Sequence, residues 1–179
     1  MQIEHCDIKP ENILLNAANE AVISDFSIAT CYADTGSLPP SSRSVESLVD
    51  PLQRSIPGNS HMMTPMFTPP ERVRPTHQSI NAIDGATLEF QPTCDLWCLG
   101  LTLYCFLMGE APYYDPYLPA LYDQILNVPI QARIDGRLSQ GAQSLLNGLC
   151  NKDPKTRMRL DQVKQSSWLN EDAKRSREK

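Results

Sequence analysis

Three polar side chains near the start of the chain could do chemistry together, since Asp7, Lys9 and Asn12 lie within six residues. A carboxylate, an ammonium group and a carboxamide on one short loop suit phosphoryl transfer, which needs an oriented hydroxyl, compensation of phosphate charge and oxygen ligands for a divalent cation. Asp25 is a second carboxylate a little further along. The sequence therefore predicts a phosphoryl-transfer site from these four residues. The alternative is a polar turn with a capped hairpin.

A short β-hairpin would bring these groups together. The apolar runs Ile13–Leu15 and Ala21–Ile23 are separated by the polar residues 16–20. Short apolar runs joined by a polar turn are typical of a hairpin. We therefore expect the second strand to return Asp25 to the neighbourhood of Asn12.

The rest of the folded part reads as helical. Residues 94–108 are apolar on nearly every side and indicate a buried central helix, with Thr93 as its predicted N-cap. Further helices are predicted after Ser139, where apolar residues recur at helical spacing, and over about 160–168. Since only the hairpin would supply strands, the predicted fold class is mainly α.

Two segments differ in composition from this body. Residues 36–61 contain seven serines and four prolines with no sustained period, which is typical of a long loop. The segment 170–179 carries seven charges of both signs and reads as a solvated tail.

Composition excludes several classes of function. The formal net charge is -5, and the basic residues do not gather into a stripe, so we expect no nucleic-acid partner. The longest uncharged apolar run, 96–109, is too short to cross a bilayer, so we expect no membrane span. Six cysteines without a C-x-x-C pair favour reduced thiols. Reduced thiols imply the cytosol or the nucleus, and no signal peptide is recognisable, so we expect an intracellular protein and favour the cytoplasm. We also expect a monomer.

The motifs around these residues resemble the eukaryotic protein kinases. Residues 5–12 read H-C-D-I-K-P-E-N and 25–27 read D-F-S, where that family has H-R-D-x-K-P-x-N and D-F-G. Three more segments match in the same order, the last of them resembling the late D-P-x-x-R motif: 64–71 (ending T-P-P-E, family A-P-E), 95–100 (D-L-W-C-L-G, family D-x-W-x-x-G) and 153–157 (D-P-K-T-R). The resemblance covers about residues 3–169. It implies a kinase-like C-terminal lobe with the hairpin at the catalytic loop and with 36–61 inserted in the activation loop.

The resemblance also implies roles in binding ATP and Mg²⁺. Asp7 would orient the substrate hydroxyl or accept its proton, and Lys9 would stabilise the transferring γ-phosphate. Asn12 and Asp25 would hold Mg²⁺, and Leu14 would contact the adenine ring. The implied activity is transfer of the ATP γ-phosphate to protein substrates.

Further residues would position this machinery. Thr64 would bridge Asp7 and Lys9, and the presence of Lys9 and Thr64 together favours serine and threonine as acceptors. The resemblance assigns structural roles to five other residues: a ring stack of His5 with Phe26, a backbone anchor at Asp95, and a buried ion pair of Glu71 with Arg157.

Departures from the family pattern set limits on this interpretation. Cys6 replaces the arginine that clamps a phosphorylated activation loop, and Ser27 replaces the glycine of D-F-G. No G-x-G occurs and the first lysine is Lys9, so we expect the N-terminal lobe to be missing and the isolated chain to be inactive. The alternative is a truncated pseudokinase or scaffold that binds protein partners. The run 101–109 is similar to calmodulin-dependent kinase kinases, which makes another kinase a candidate substrate.

Overall fold

The structure is a computed structural model and describes residues 2–32, 63–73, 93–134, 136 and 138–170. The predicted loop insertion at 36–61 lies outside these residues, as do residues 171–179 of the predicted tail. The described part contains four short strands: β1 (Gln2–Glu4), β2 (Ile13–Leu15), β3 (Ala21–Ile23) and β4 (Thr30–Tyr32). Its helices are α1 (Pro70–Val73), α2 (Thr93–Met108), α3 (Leu118–Asn127), α4 (Gln140–Leu149) and α5 (Leu160–Lys164), with 3₁₀ turns at Pro10–Asn12, Pro65–Phe67 and Ile130–Arg133.

The predicted hairpin is present. Strands β2 and β3 pair antiparallel, with Leu14 opposite Val22. In the turn, the Asn16 side-chain oxygen accepts from the N–H groups of Ala18 and Glu20, each at 2.9 Å. Asn19 has a φ of 60°, a left-handed conformation that asparagine tolerates better than most residues.

A second two-stranded sheet pairs β1 with β4 antiparallel, with Ile3 opposite Cys31. The expectation that only the hairpin supplies strands is therefore wrong. Strands of three residues are too short to show the alternation that distinguishes a strand in a sequence. This second sheet holds the chain just before the loop that carries Asp7.

Helix α2 lies at the centre of the described structure. Trp97, Cys98 and Leu101 on it have no exposed surface. Thr93 belongs to the helix rather than preceding it, so its prediction as the N-cap is wrong. Instead, the N–H of Cys94 in the first turn donates to the carboxylate of Glu4 at 3.0 Å, a partner 90 residues away.

The two predicted C-terminal helices have different outcomes. Helix α4 begins after Ser139, whose hydroxyl accepts from the N–H of Ala142 at 3.3 Å, and its apolar positions are buried as their spacing predicts. The helix predicted over 160–168 is interrupted: α5 ends at Lys164, and residues 167–170 are helical again. Among the described residues, no helix combines the length and apolarity needed to cross a membrane.

Helices α2 and α4 approach closely at Gly100. A Cβ atom at this position would lie 2.7 Å from the Cys150 sulfur and 2.8 Å from the Leu149 Cβ. Alanine favours a helix over glycine by about 1 kcal/mol, but relieving these overlaps would require α4 to move, at a cost of about 1–3 kcal/mol or more. The close contact therefore outweighs the gain in helix propensity.

We expect Gly100→Ala to lower the free energy of unfolding by about 1–2 kcal/mol, measured by urea denaturation. Gly136→Ala is the matched control, because nothing lies within 4 Å of its added Cβ. An unchanged or higher midpoint for Gly100→Ala would show that α4 shifts away at no cost.

Candidate active site

The loop that carries Asp7 is held by Asp95 in the first turn of α2. Its two carboxylate oxygens accept from the N–H groups of His5 and Cys6, each at 2.8 Å. Burial raises the pKa of Asp95, while the two backbone donors favour its ionised form. Cys6 has a φ of 68°, a left-handed conformation that is costly for a residue with a Cβ. The anchor at Asp95 helps to hold this conformation.

Asp7, Lys9 and Thr64 form a closed ring of polar contacts. The Lys9 ammonium lies 2.7 Å from Asp7 Oδ2 and donates to the Thr64 hydroxyl at 2.7 Å. That hydroxyl donates to Asp7 Oδ1 at 2.8 Å. Thr64 comes from a segment 57 residues further along the chain, so the ring joins two separate parts of the fold. The bridging contact that the resemblance implied for Thr64 is present.

Asn12 is buried beside Asp7. Its amide nitrogen donates to the Asp7 backbone oxygen at 2.8 Å and to Asp7 Oδ2 at 3.2 Å, which leaves its Oδ1 as the side-chain atom able to ligate a cation. The N–H and hydroxyl of Ser24 donate to the Asn12 backbone oxygen at 2.9 and 3.1 Å. These bonds bring the residue that follows Ser24, which is Asp25, to the neighbourhood of Asn12.

Asp25 is exposed at the end of the hairpin, with a φ of 64°. Hydrogen bonds from the Ser27 hydroxyl and backbone N–H, with the nearby charge of Lys9, hold the pKa of Asp25 below its ordinary value. The carboxylate is therefore ionised at neutral pH.

Asn12 and Asp25 suit Mg²⁺. Mg²⁺ prefers hard oxygen ligands and is usually held by one or two protein groups together with phosphates and water. Within the described part of the chain, no group of three or more His, Cys, Asp or Glu residues forms a metal cage. A carboxamide oxygen and an ionised carboxylate fit a cation that takes its remaining ligands from a bound nucleotide.

The rings of His5 and Phe26 lie edge to face, with centroids 4.5 Å apart. His5 Nε2 is 2.9 Å from the Ser24 backbone oxygen, and its Nδ1 accepts from the Asp7 N–H at 3.2 Å, so this pattern places the ring proton on Nε2. The stack therefore links the Asp7 loop to the end of the hairpin. Leu14 lies on β2 and is 53% exposed, outside the polar cluster.

Glu71 and Arg157 form a bidentate ion pair. The Arg157 guanidinium donates to both Glu71 carboxylate oxygens at 2.7 and 2.8 Å, and also to the backbone oxygens of Thr93 and Asn151. Its side chain has no exposed surface and lies 5.3 Å from the Trp97 ring centroid. The pair ties α1 to the start of α2 and to the loop after α4.

Sequence reasoning missed a second buried ion pair. Glu4 is 4% exposed, and its Oε2 lies 2.7 Å from Arg72 Nη2. Arg72 also donates to the Cys6 sulfur at 3.5 Å. The two residues are 68 positions apart, and neither lies in a segment with amphipathic periodicity. A single sequence therefore contains no signal that would pair them.

Comparison with known proteins assigns the family. The family described as "Protein kinase domain" matches residues 1–169. The chain belongs to the protein kinase domain family. This confirms the resemblance inferred from the motifs. Members of the family use ATP and Mg²⁺ and act on protein substrates.

Several curated kinases are similar along most of this chain. Serine/threonine-protein kinase GRIK2 of Arabidopsis thaliana is 33% identical over 165 residues, which is 92% of this chain and 33% of that protein. A calcium/calmodulin-dependent protein kinase kinase of Caenorhabditis elegans is 30% identical over 172 residues, or 96% of this chain and 27% of that protein. SNF1-activating kinase 1 of Saccharomyces cerevisiae is 30% identical over 190 residues, or 95% and 16%. The chain spans a third or less of each of these kinases.

Proposed function

We propose that residues 1–179 form the C-terminal lobe of a protein serine/threonine kinase that transfers the γ-phosphate of ATP to protein hydroxyls. The observation that carries this proposal is the closed ring of Asp7, Lys9 and Thr64. It holds a carboxylate, a cation and a hydroxyl together next to two oxygen ligands suited to Mg²⁺. Polar turns do not require such a ring between segments 57 residues apart.

Each residue of the site has a distinct part in the proposed reaction. Asp7 orients the acceptor hydroxyl and takes up its proton, and Lys9 compensates the charge of the transferring phosphoryl group. Thr64 holds both side chains in place. Asn12 and Asp25 would hold Mg²⁺, which would neutralise phosphate charge, while ATP would supply the phosphoryl group and leave as ADP.

A second protein kinase is the proposed substrate. The name of one similar protein, a calcium/calmodulin-dependent protein kinase kinase, describes an enzyme that acts on a kinase. Within this proposal the acceptors are serine and threonine, and the protein works as an intracellular, cytoplasmic monomer. The free thiols of Cys6, Cys94, Cys98, Cys105 and Cys150 support the intracellular part.

We expect purified residues 1–179 to show no rise in Tm with millimolar Mg-ATP. The glycine-rich loop and the strand lysine that complete the nucleotide site in this family do not occur in these 179 residues. Leu15 in the hairpin and Phe26 just after it are exposed to solvent, at 70% and 57%. Since a ligand at 100 times its Kd stabilises the native state by about 2.7 kcal/mol, a clear rise in Tm would contradict the expectation.

A fusion protein tests the proposed activity. The half of the kinase domain that precedes the catalytic loop in Arabidopsis GRIK2 is joined in frame to residues 1–179, and a rise in Tm with Mg-ATP establishes that the nucleotide site has assembled. The proposal expects this fusion to phosphorylate serine or threonine in a kinase substrate. A fusion that binds Mg-ATP and transfers no phosphate would overturn it.

The second candidate is a pseudokinase or scaffold without catalytic activity, which Cys6 and Ser27 favour. A pseudokinase or scaffold would keep the fold and bind protein partners without phosphotransfer. Ser27 adds a Cβ where the family motif has glycine, and its N–H is bonded to Asp25 at 3.3 Å. The same fusion separates the two candidates, because a scaffold would transfer no phosphate whether or not it binds Mg-ATP.

A further inference from the structure

The buried pair of Glu4 and Arg72 links three segments around the candidate active site. Glu4 ends β1, immediately before the loop that carries Asp7. Arg72 lies in α1, next to Glu71. One Glu4 oxygen accepts from Arg72 and the other from the N–H of Cys94 in the first turn of α2. A single carboxylate therefore holds together β1, α1 and α2.

Arg72 also contacts two sulfur atoms. Its Nη1 donates to the sulfurs of Cys6 and Met63 at 3.5 and 3.7 Å. A hydrogen bond with Cys94, together with burial, raises the pKa of Cys6, so this thiol stays protonated and neutral. Thiol and thioether sulfurs are weak acceptors. Among these contacts, the charge of the Arg72 guanidinium is balanced by Glu4.

The position of this pair suggests its role. Phosphorylation orders kinase activation segments by placing a new anion against an arginine. Here Cys6 stands where the family motif has that arginine, and a neutral thiol does not bind phosphate. Arg72 places a guanidinium beside Cys6, and the anion that meets it is already part of the chain.

We propose that Glu4 is a positioning residue whose carboxylate takes the place of an activating phosphate, holding residues 63–73 against the catalytic loop through Arg72 without phosphorylation. The regulatory part of this proposal, that Glu4 replaces an activating phosphate, rests on the proposed kinase function. The arrangement itself is tested without ATP or a substrate, so that failure of one proposal leaves the other open to its own test.

Hydrogen exchange in α1 measures directly how firmly Glu4 holds this helix. The N–H groups of Arg72 and Val73 both donate to the Pro69 backbone oxygen, at 2.9 and 3.2 Å, and their exchange reports local opening. In unphosphorylated residues 1–179, Glu4→Ala should speed their exchange by about tenfold or more, since Arg72 loses its buried partner. Added acetate or inorganic phosphate should slow exchange in Glu4→Ala and leave the wild type unchanged.

Three further variants keep the outcome interpretable. Glu4→Gln preserves the side-chain volume and an acceptor for Cys94, and should show the same acceleration if Glu4→Ala does not fold. Arg72→Met in the Glu4→Ala background should abolish the response to anions. Asp161→Asn removes one carboxylate from an exposed pair, in which Asp161 lies 3.5 Å from Arg159, and should leave exchange in α1 unchanged.

Two results would overturn the proposal. If phosphate slows exchange in the wild type and Arg72→Met removes that effect, an anion site beside Arg72 is open rather than filled by Glu4. If neither Glu4 variant changes the exchange of Arg72 and Val73, the carboxylate does not hold α1.

Discussion

Asp7→Asn lowers the phosphotransfer rate of the fusion protein by about 10²–10⁴-fold, the usual contribution of a positioned general base. Asparagine keeps the approximate shape of the side chain but has no negative charge, so it neither takes up the hydroxyl proton nor pairs with Lys9. The amide oxygen of the variant can still accept from the Thr64 hydroxyl and N–H, as Asp7 Oδ1 does, but its amide nitrogen replaces the oxygen that faces the Lys9 ammonium. Initial rates with saturating Mg-ATP measure the effect as kcat.

The matched control is Asp123→Asn, an exposed aspartate on α3 whose carboxylate accepts from Asn127. It makes the same chemical change and should leave kcat unaltered. The rise in Tm with Mg-ATP should persist in Asp7→Asn, since Asn12 and Asp25 remain. A variant that binds Mg-ATP and retains full kcat would show that Asp7 takes no part in proton transfer.

Arg157→Met lowers the free energy of unfolding by about 3–5 kcal/mol, the usual cost of removing one member of a buried ion pair. Methionine fills part of the space, but the Glu71 carboxylate loses its bidentate partner, and the backbone oxygens of Thr93 and Asn151 each lose a donor. The Arg157 side chain has no exposed surface, so water does not readily replace the hydrogen bonds that the guanidinium makes. Urea denaturation of residues 1–179 gives the value.

Arg159→Met is the control, because it makes the same substitution two positions away. The Arg159 side chain is 49% exposed, and its nitrogen lies 3.5 Å from an Asp161 oxygen. Exposed pairs of this kind contribute about 0–1 kcal/mol, so its loss should be small. Equal losses in the two variants would mean that the buried network contributes no more than a surface pair.

Local patterns in the sequence were sufficient where they described one continuous segment. The polar turn between two apolar runs predicted the β2–β3 hairpin, and apolar spacing after Ser139 predicted α4. The motifs at 5–12 and 25–27 identified the family, which the match over residues 1–169 confirms. The roles of Asp7, Lys9, Asn12, Asp25 and Thr64 stay predictions.

Local patterns failed where a partner came from a distant segment. Thr93 has the side chain of an N-cap, yet the Cys94 N–H is satisfied by Glu4. The need for glycine at position 100 likewise follows only from the packing of Leu149 and Cys150 against it. Strand β1 has no pattern of its own and exists because β4 lies beside it.

The sequence by itself determined which side chains this protein has for phosphoryl chemistry and which family it belongs to, because both are carried by residue types at fixed local spacing. Only the tertiary structure decided that Glu4 and Arg72 pair and what caps α2. In a sequence, a charged residue is normally predicted to lie on the surface. Burial of the Glu4 charge depends on Arg72, a partner that folding brings in from 68 residues away.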